Sequence, residues 1–202
     1  MHDLELENAK IKKRHSLNKK RIEKIIRQLL IEIGENPNRE GLIDTPRRIS
    51  EMYEEIFGGY RMDSQLDITF SEESDAIIAK DINFYSICEH HMLPFFGKIT
   101  VAYIPSGKVF GLSKLARLVE KYSRRLQIQE RLTKEIANEI MNMGVKGVLV
   151  IVEGEHLCMK MRGVRNGILI MTVAYRGILQ QKELRENLLS LIYTPKAELH
   201  SV

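Results

Sequence analysis

Four reactive side chains stand in consecutive positions at Cys88, Glu89, His90 and His91. Such a group is costly to bury unless a partner compensates it, and a metal ion is a suitable partner. Cys and His are ligands that zinc prefers, and the Cys-x-x-His spacing allows Cys88 and His91 to reach one ion. His90 is then free to act on protons, and Glu89 to orient an imidazole from outside the ligand set.

A second cluster surrounds Cys158, the only other cysteine of the chain. His156, Cys158, Lys160 and Arg162 alternate with apolar residues, which predicts a strand with one chemical face and one core face. If this strand lies beside the first cluster, Cys158 completes a Cys2His ligand set. Three protein ligands leave the fourth tetrahedral position to water, which is typical of catalytic zinc. His90 and His156 are then candidates for moving protons.

The spacing alone leaves other interpretations of the two cysteines open. Cys88 and Cys158 could form a disulfide in an oxidising compartment, and Cys158 could be a buried small apolar residue. A closed structural zinc site, with His90 as fourth ligand, is a further alternative. These alternatives weaken because both cysteines lie in clusters that also contain histidine.

The segment 111–117, Gly-Leu-Ser-Lys-Leu-Ala-Arg, is suited to binding an anion. Its Gly and Ser113 favour the entry to a helix, where free N–H groups and the helix dipole attract negative charge. Lys114 and Arg117 share a helical face and could contact phosphates, although a solvated helix face has the same pattern. Gln129-Glu130 opens the next helix, and a carboxylate accepts well from two adjacent N–H donors such as those of the guanine edge.

The elements that must position these residues change in kind along the chain. Before residue 60, apolar residues at helical spacing predict two amphipathic helices. The first would start after Ser16 or Asn18, and the second at Thr45-Pro46 as N-cap and first-turn proline. Residues 61–80 are polar and acidic, which predicts a connector. We therefore expect a helical N-terminal section with its connector over residues 1–80.

Strands and helices are both predicted from about residue 81 onward. Strands, then helices, then strands is an order that favours an α+β fold, with an antiparallel sheet and helices on one face. We predict one catalytic domain over residues 81–202. The predicted strands cover 98–104, 148–152, 155–162 and 168–175. One predicted helix begins at Ser113, a second carries Leu132 on its apolar face, and a closing helix carries Leu184.

The composition is that of an ordinary globular protein, with 44% hydrophobic and 29% charged residues among 202. No apolar run approaches the ~20 residues that span a bilayer, and the acidic N-terminus does not support a secretory signal. Two distant cysteines predict a reducing, cytoplasmic setting. Residues 1–30 hold nine Lys or Arg and four acids, a net of +5 against +4 for the whole chain. Since this arm lacks interleaved aromatics, nucleic-acid binding is not expected.

Five ordered motifs between residue 39 and about residue 192 closely resemble those of GTP cyclohydrolase I. The longest reads Phe-Tyr-Ser-Ile-Cys-Glu-His-His-Met-Leu-Pro-Phe-Phe-Gly-Lys and contains the first reactive cluster. Five motifs in the same order make coincidence implausible. They cover residues 39–48, 84–98, 111–117, 123–133 and 156–163.

This resemblance implies conversion of GTP and water to 7,8-dihydroneopterin triphosphate and formate, the first step of folate biosynthesis. The reaction would be a zinc-dependent hydrolytic opening of the guanine imidazole ring at C8. A tunnelling fold is also implied, with a toroidal homodecamer whose active sites lie between subunits. By resemblance, the zinc ligands are Cys88, His91 and Cys158, and the proton carriers are His90 and His156. The resemblance assigns the guanine contacts to Glu130 and Gln129. It assigns the triphosphate contacts to Ser113, Lys114, Arg117 and Arg162, with Arg48 reaching in from a neighbouring subunit.

One segment departs from the family pattern. Where the family usually carries small hydroxyl residues, residues 168–175 are mainly apolar, with Val173 where Ser is common. We interpret this as a strand buried on both faces. The departure affects hydrogen bonds to substrate or interface, and leaves the zinc and phosphate positions intact. Another pterin or deazapurine enzyme of the same fold remains an alternative, which the presence of both His90 and His156 disfavours.

Overall fold

Helices make up the first part of the chain. The computed structural model describes residues 17–62 and 69–194, and the chain divides into two units, 1–63 and 64–202. The first unit contains helices α1 (Lys19–Glu32) and α2 (Thr45–Ile56) and a 3₁₀ turn at Gly58–Tyr60. These helices confirm the predicted helical N-terminal section.

Both helix starts follow from capping chemistry. The Asn18 side chain accepts a hydrogen bond of 3.0 Å from the Arg21 N–H, which confirms Asn18 as the cap of α1. The alternative cap, Ser16, lies outside the described residues. Helix α2 begins one residue earlier than we predicted, because Asp44 is its N-cap. Thr45 is therefore already helical, and Pro46 occupies the first turn, where its missing N–H costs no hydrogen bond.

A five-stranded sheet is the frame of the second unit. The strands of this unit are β1 (Thr69–Phe70), β2 (Ile77–Cys88), β3 (Pro94–Ile104), β4 (Val109–Phe110), β5 (Leu126–Gln127), β6 (Gly147–His156) and β7 (Leu169–Gly177). Its helices are α3 (Leu112–Ser123), α4 (Gln129–Asn142), α5 (Leu157–Lys160) and α6 (Lys182–Tyr193). The order of the five-stranded sheet is β5-β2-β3-β6-β7, with antiparallel pairs except for the short parallel pair between β2 and β5. A separate two-stranded sheet pairs β1 with β4.

The main core lies between one face of the sheet and helices α3 and α4. Leu118 of α3 and Ile136 of α4 are fully buried there against Val150 of β6. Each such burial contributes roughly 1.5–3 kcal/mol. This arrangement confirms the predicted α+β fold: α3 and α4 are the predicted helices on one face, and the sheet is antiparallel except for the short pair of β2 with β5. Helix α6 adds a smaller core on the opposite face, where Leu188 packs with Leu149.

Along the described ranges, none of the helices has both the length and the apolar character that a membrane span requires.

The predicted strand over residues 155–162 is wrong. Strand β6 ends at His156, and the next four residues form the single helical turn α5. Strand β3 starts at Pro94 and its last pair with β6 is Phe95 with His156, so no neighbour remains to pair with a longer β6. The backbone groups beyond this point must be satisfied locally, as in the bond from the Met161 N–H to the Leu157 carbonyl.

Our interpretation of residues 168–175 as a strand buried on both faces is also wrong. Strand β7 is the edge strand of the sheet, and its burial alternates along the strand. Ala174 is buried, whereas Leu169, Met171 and Val173 are 59%, 50% and 46% exposed. The apolar run therefore combines one core face with one exposed apolar face, which composition alone could not separate.

Strand β2 begins at Ile77, inside the segment 61–80 that is predicted to be a connector.

We expect Gly97→Ala to destabilise the sheet severely. A Cβ at Gly97 would lie 1.9 Å from the Glu153 carbonyl oxygen, so β3 and β6 could not keep their present distance. The free energy of unfolding should fall by roughly 3 kcal/mol or more, measured by urea unfolding at matched protein concentration.

The matched control is Gly167→Ala. Its Cβ would lie 3.6 Å from the Lys160 side chain, an ordinary contact. We expect it to change stability by less than about 0.5 kcal/mol. Equal stabilities of the two variants would contradict the importance of this close approach.

Candidate active site

Three segments meet at one end of the five-stranded sheet. Strand β2 ends at Cys88, a tight turn leads into β3, and β6 ends at His156 opposite Phe95. The turn is closed by a 2.8 Å hydrogen bond from the Met92 N–H to the Cys88 carbonyl. Met92 adopts a positive φ of 53°, which allows the chain to reverse in so few residues. Strand β5 pairs with Cys88 through Gln127 on the other side.

A group of three metal-binding side chains lies at this end of the sheet. The donor atoms of Cys88, His91 and Cys158 all lie within 4.8 Å of one another. The two sulfur atoms are 4.0 Å apart, and both cysteines are free, so the disulfide alternative is not what the structure contains. Two thiolates on one tetrahedral zinc ion with ~2.3 Å bonds lie about 3.8 Å apart. The donor set and its spacing therefore fit zinc.

The electrostatics of the two sulfurs also favour a cation. Burial, together with the neighbouring Cys88 sulfur, raises the pKa of the Cys158 thiol. Two thiolates at this distance repel each other in a partly buried position, and a divalent cation removes that cost. Cys88 is buried and Cys158 half-buried, whereas His91 is exposed.

Arg162 contacts the same cluster through His91. One guanidinium nitrogen of Arg162 lies 2.8 Å from His91 Nε2. Arginine only donates, so this nitrogen of His91 accepts the hydrogen bond. A single lone pair cannot serve both Arg162 and a metal, so the two uses of His91 Nε2 exclude each other. Arg162 lies in an exposed segment where its side chain can turn away from the cluster.

His156 is held in a defined position beside the cluster. Its ring stacks on Phe95, with centroids 4.7 Å apart and planes 7° from parallel. Its Nε2 lies 2.8 Å from Gln129 Oε1 at the start of α4. Burial lowers the pKa of His156, and the charge of Glu130 partly opposes this effect. The neutral imidazole, which can accept a proton, is therefore favoured near neutral pH.

The contacts of Glu89 and His90 differ. Within the described part of the chain, Glu89 contacts no imidazole directly; its carboxylate binds Arg131 of α4 through two hydrogen bonds of 2.5 and 3.0 Å. The hydrogen bond and charge of Arg131 hold the pKa of Glu89 below its usual value. His90 is exposed, and its ring lies edge-on to His91 at 6.4 Å. Sequence reasoning missed Arg131, because no local spacing relates it to a residue 42 positions earlier.

Three of the predicted phosphate contacts, Ser113, Lys114 and Arg117, lie on the first turns of α3. Ser113 and Arg117 are exposed and Lys114 is half-buried. Across residues 17–62 and 69–194, no acid pairs with Lys114 or Arg117, so both charges are available to an anion. Glu130 is likewise exposed on the first turn of α4.

Arg48 belongs to the first unit, where it pairs with Asp44 at 3.4 Å.

A cavity of about 310 Å³ is found at the opposite end of the sheet. It is lined by Asp75, Pro105 and Lys146 among others and contains none of the residues of the candidate site.

Comparison with known proteins identifies the family. The family described as GTP cyclohydrolase I matches residues 22–193. GTP cyclohydrolase 1 of Clostridium perfringens is 52% identical over 182 residues, covering 87% of this chain and 98% of that protein. The proteins of the same name from Hyperthermus butylicus and Desulforamulus reducens are 51% and 54% identical, covering 87% and 85% of this chain and 92% and 96% of theirs.

The chain belongs to the GTP cyclohydrolase I family. It is therefore an enzyme of the hydrolase class, and the resemblance noted in the sequence is confirmed. The match includes both reactive clusters and the first turns of α3 and α4. The range that matches the GTP cyclohydrolase I family begins at residue 22, so it also includes most of helix α1.

We expect Glu89→Gln to weaken the connection between the end of β2 and α4. The substitution removes the negative charge that Arg131 binds, so the urea midpoint should fall at low ionic strength. The difference from the unsubstituted protein should narrow at high salt, because part of the pair is exposed and screened.

Glu186→Gln is the matched control, since Glu186 pairs with Lys182 at 3.6 Å on an exposed helix face. Such pairs contribute little. If both substitutions shift the urea midpoint equally, the Glu89–Arg131 contact has no special role.

Proposed function

We propose that this chain is a GTP cyclohydrolase I that hydrolytically opens the guanine imidazole ring of GTP. The products would be formate and 7,8-dihydroneopterin triphosphate, as the first step of tetrahydrofolate biosynthesis. The observation that carries the proposal is the group Cys88, His91 and Cys158 beside His156, in a chain of this family. We propose a cytoplasmic location on the basis of the two free cysteines.

Cys88, His91 and Cys158 would hold zinc, since thiolate and imidazole donors at this spacing suit that ion. When bound, zinc supplies Lewis-acid activation of water at neutral pH. The three side chains come from the end of β2, the following turn and helix α5, so one ligand lies on a strand and the other two lie on segments that directly follow strands.

His156 and His90 would move protons during ring opening and loss of formate. His156 suits the role of acceptor because burial favours its neutral form and because Gln129 and Phe95 hold the ring. His90 is exposed on the turn, where it can approach a bound substrate and exchange protons with solvent. The two histidines thus provide one fixed and one accessible proton carrier.

Charged residues at two helix starts would bind the substrate. Glu130 presents an exposed carboxylate at the start of α4, which can accept two N–H groups of guanine. Ser113, Lys114 and Arg117 at the start of α3 would bind the triphosphate together with Arg162.

We further propose that the enzyme is a homo-oligomer. The resemblance to GTP cyclohydrolase I implies a decamer with active sites between subunits. Two observations support this proposal: β7 has exposed apolar side chains, and among residues 17–62 and 69–194 no strand pairs with its outer edge. Such an edge is unfavourable in water. Arg48 would then reach the triphosphate of a neighbouring subunit.

The zinc proposal predicts different losses for two substitutions. Cys158→Ala removes a ligand, so bound zinc and formate release from GTP should both be lost. His90→Ala keeps the ligand set, so it should retain about one zinc per chain and lose ring opening by about 100-fold or more. Metal analysis of the purified proteins and a formate assay check both results. Full activity of either variant would overturn the proposed mechanism.

Triphosphate binding predicts that GTP binds far more tightly than guanosine. Lys114→Gln should raise the KM for GTP about 10-fold or more, because it removes one charge-assisted hydrogen bond. Lys108→Gln, at an exposed position before α3, should leave KM unchanged. Equal affinities for GTP and guanosine would contradict the assignment of the α3 start to phosphate binding.

A further inference from the structure

We infer that Gln129 is a positioning residue that fixes which nitrogen of His156 carries its proton. The inference rests on the proposed function, in which His156 exchanges protons with the substrate. It assigns Nε2 as the protonated nitrogen and Nδ1 as the nitrogen whose lone pair remains for proton transfer.

The orientation of the Gln129 side-chain amide is set by its acceptors. Its Nε2 lies 3.0 Å from the Val152 carbonyl oxygen and 2.9 Å from the Ile170 carbonyl oxygen. Carbonyl oxygens only accept, so the atom facing them must be the NH₂ nitrogen. The Gln129 oxygen therefore faces His156, at 2.8 Å from its Nε2.

The proton on His156 follows from this orientation. An amide oxygen cannot donate, so His156 Nε2 must supply the hydrogen of the contact. A neutral imidazole carries one N–H, and the second nitrogen holds the lone pair. Gln129 thereby selects the tautomer with hydrogen on Nε2 and leaves Nδ1 as the base.

Neighbouring hydroxyl groups support the same orientation. Thr133 Oγ1 donates to the Gln129 backbone carbonyl at 2.7 Å, so the 2.6 Å contact with Thr172 Oγ1 has Thr172 as donor. Thr172 Oγ1 can then accept from Gln129 Nε2 at 3.3 Å. The Gln129 amide thus donates to Thr172, Thr172 donates to Thr133, and Thr133 donates to the Gln129 carbonyl, so every donor in this series has an acceptor.

The amide is enclosed so that it cannot turn over. Gln129 is 1% exposed, and a Cβ at Gly154 would lie 2.8 Å from its side-chain oxygen. A turned amide would face two carbonyl oxygens with its own oxygen, an arrangement of acceptors only. Phe95 stacks on the imidazole and fixes the plane of the ring, and the contact with Gln129 Oε1 places Nε2 within that plane.

This assignment differs from a role of the Gln129 side chain on the guanine edge. Both amide hydrogens are directed to backbone carbonyls and Thr172, and the oxygen is directed to His156. Of these two side chains, Glu130 is then the one that contacts guanine; it is exposed and follows Gln129 in the sequence. The two roles predict different kinetic effects of substituting Gln129.

The tautomer can be read directly in the full-length, zinc-loaded protein. Magic-angle-spinning NMR of histidine labelled with ¹³C and ¹⁵N separates protonated from bare ring nitrogens, also in a large assembly. His156→Asn identifies the His156 signals by their loss. At a pH of about 8.5, well above the usual imidazole pKa of about 6.5, we expect a bare Nδ1 and a protonated Nε2. A protonated Nδ1 would overturn the inference.

Substitution of Gln129 tests its control of His156. Gln129→Met keeps the length of the side chain and removes both donor and acceptor. We expect loss of the single tautomer and a kcat for formate release about 10- to 100-fold lower, with KM for GTP within about threefold. A raised KM with unchanged kcat would indicate guanine binding and overturn the inference.

Gln127→Met is the matched control. Gln127 is 2% exposed, and its amide donates to the Tyr122 carbonyl and to Glu135 at 2.7 Å, away from His156. This variant should keep the His156 tautomer and a kcat within about threefold. Loss of the tautomer in both variants would show a general effect of disturbing α4 and overturn the specific role of Gln129.

The two proposals fail in different ways. If the unsubstituted protein releases no formate from GTP, the proposed function fails. The NMR spectrum still reports the tautomer of His156 and its dependence on Gln129, because it requires no turnover.

Discussion

The ladder between β3 and β6 is the constraint on which the candidate site depends. It runs through ten consecutive pairs, from Ile104 with Gly147 to Phe95 with His156. Strand β2 pairs with the other side of β3 and ends at the same end of the sheet as β6. A slip by one residue would move every core side chain to the opposite face, so burial fixes the register. The register therefore brings two sulfur atoms 70 residues apart in sequence to 4.0 Å.

The resulting site has a buried half and an exposed half. Cys88 and Gln129 lie in the buried half, where the sheet and α4 determine their positions. His90, Arg162 and Glu130 lie in the exposed half, where a substrate can reach them. This division suits hydrolysis of a large polar substrate, because the reacting groups need fixed geometry whereas the charged groups must remain accessible. The polar groups around Gln129 can be buried without a large cost in folding free energy because their hydrogen bonds are satisfied.

Strand β7 connects this site to the proposed assembly. Its inward residues include Thr172, which belongs to the hydrogen bonds around Gln129, and its outward residues include exposed Met171 and Val173. The alternation of the strand allows one element to serve the interior and an apolar surface at once. The departure of this segment from the family pattern thus falls on the outward face at Val173, while the hydroxyl group of Thr172 is kept on the inward face.

The sequence by itself determined the family, the α+β class, the helical N-terminal section and the chemical identity of the reactive clusters. These properties follow from local composition, periodicity and motif order, which need no knowledge of distant contacts. Tertiary structure alone decided where β6 ends, because that depends on the strand beside it, and which face of β7 is buried. It also decided the partners of Glu89 and Gln129. A hydrogen bond joins groups that the fold brings together, and spacing along the chain carries no record of such pairs.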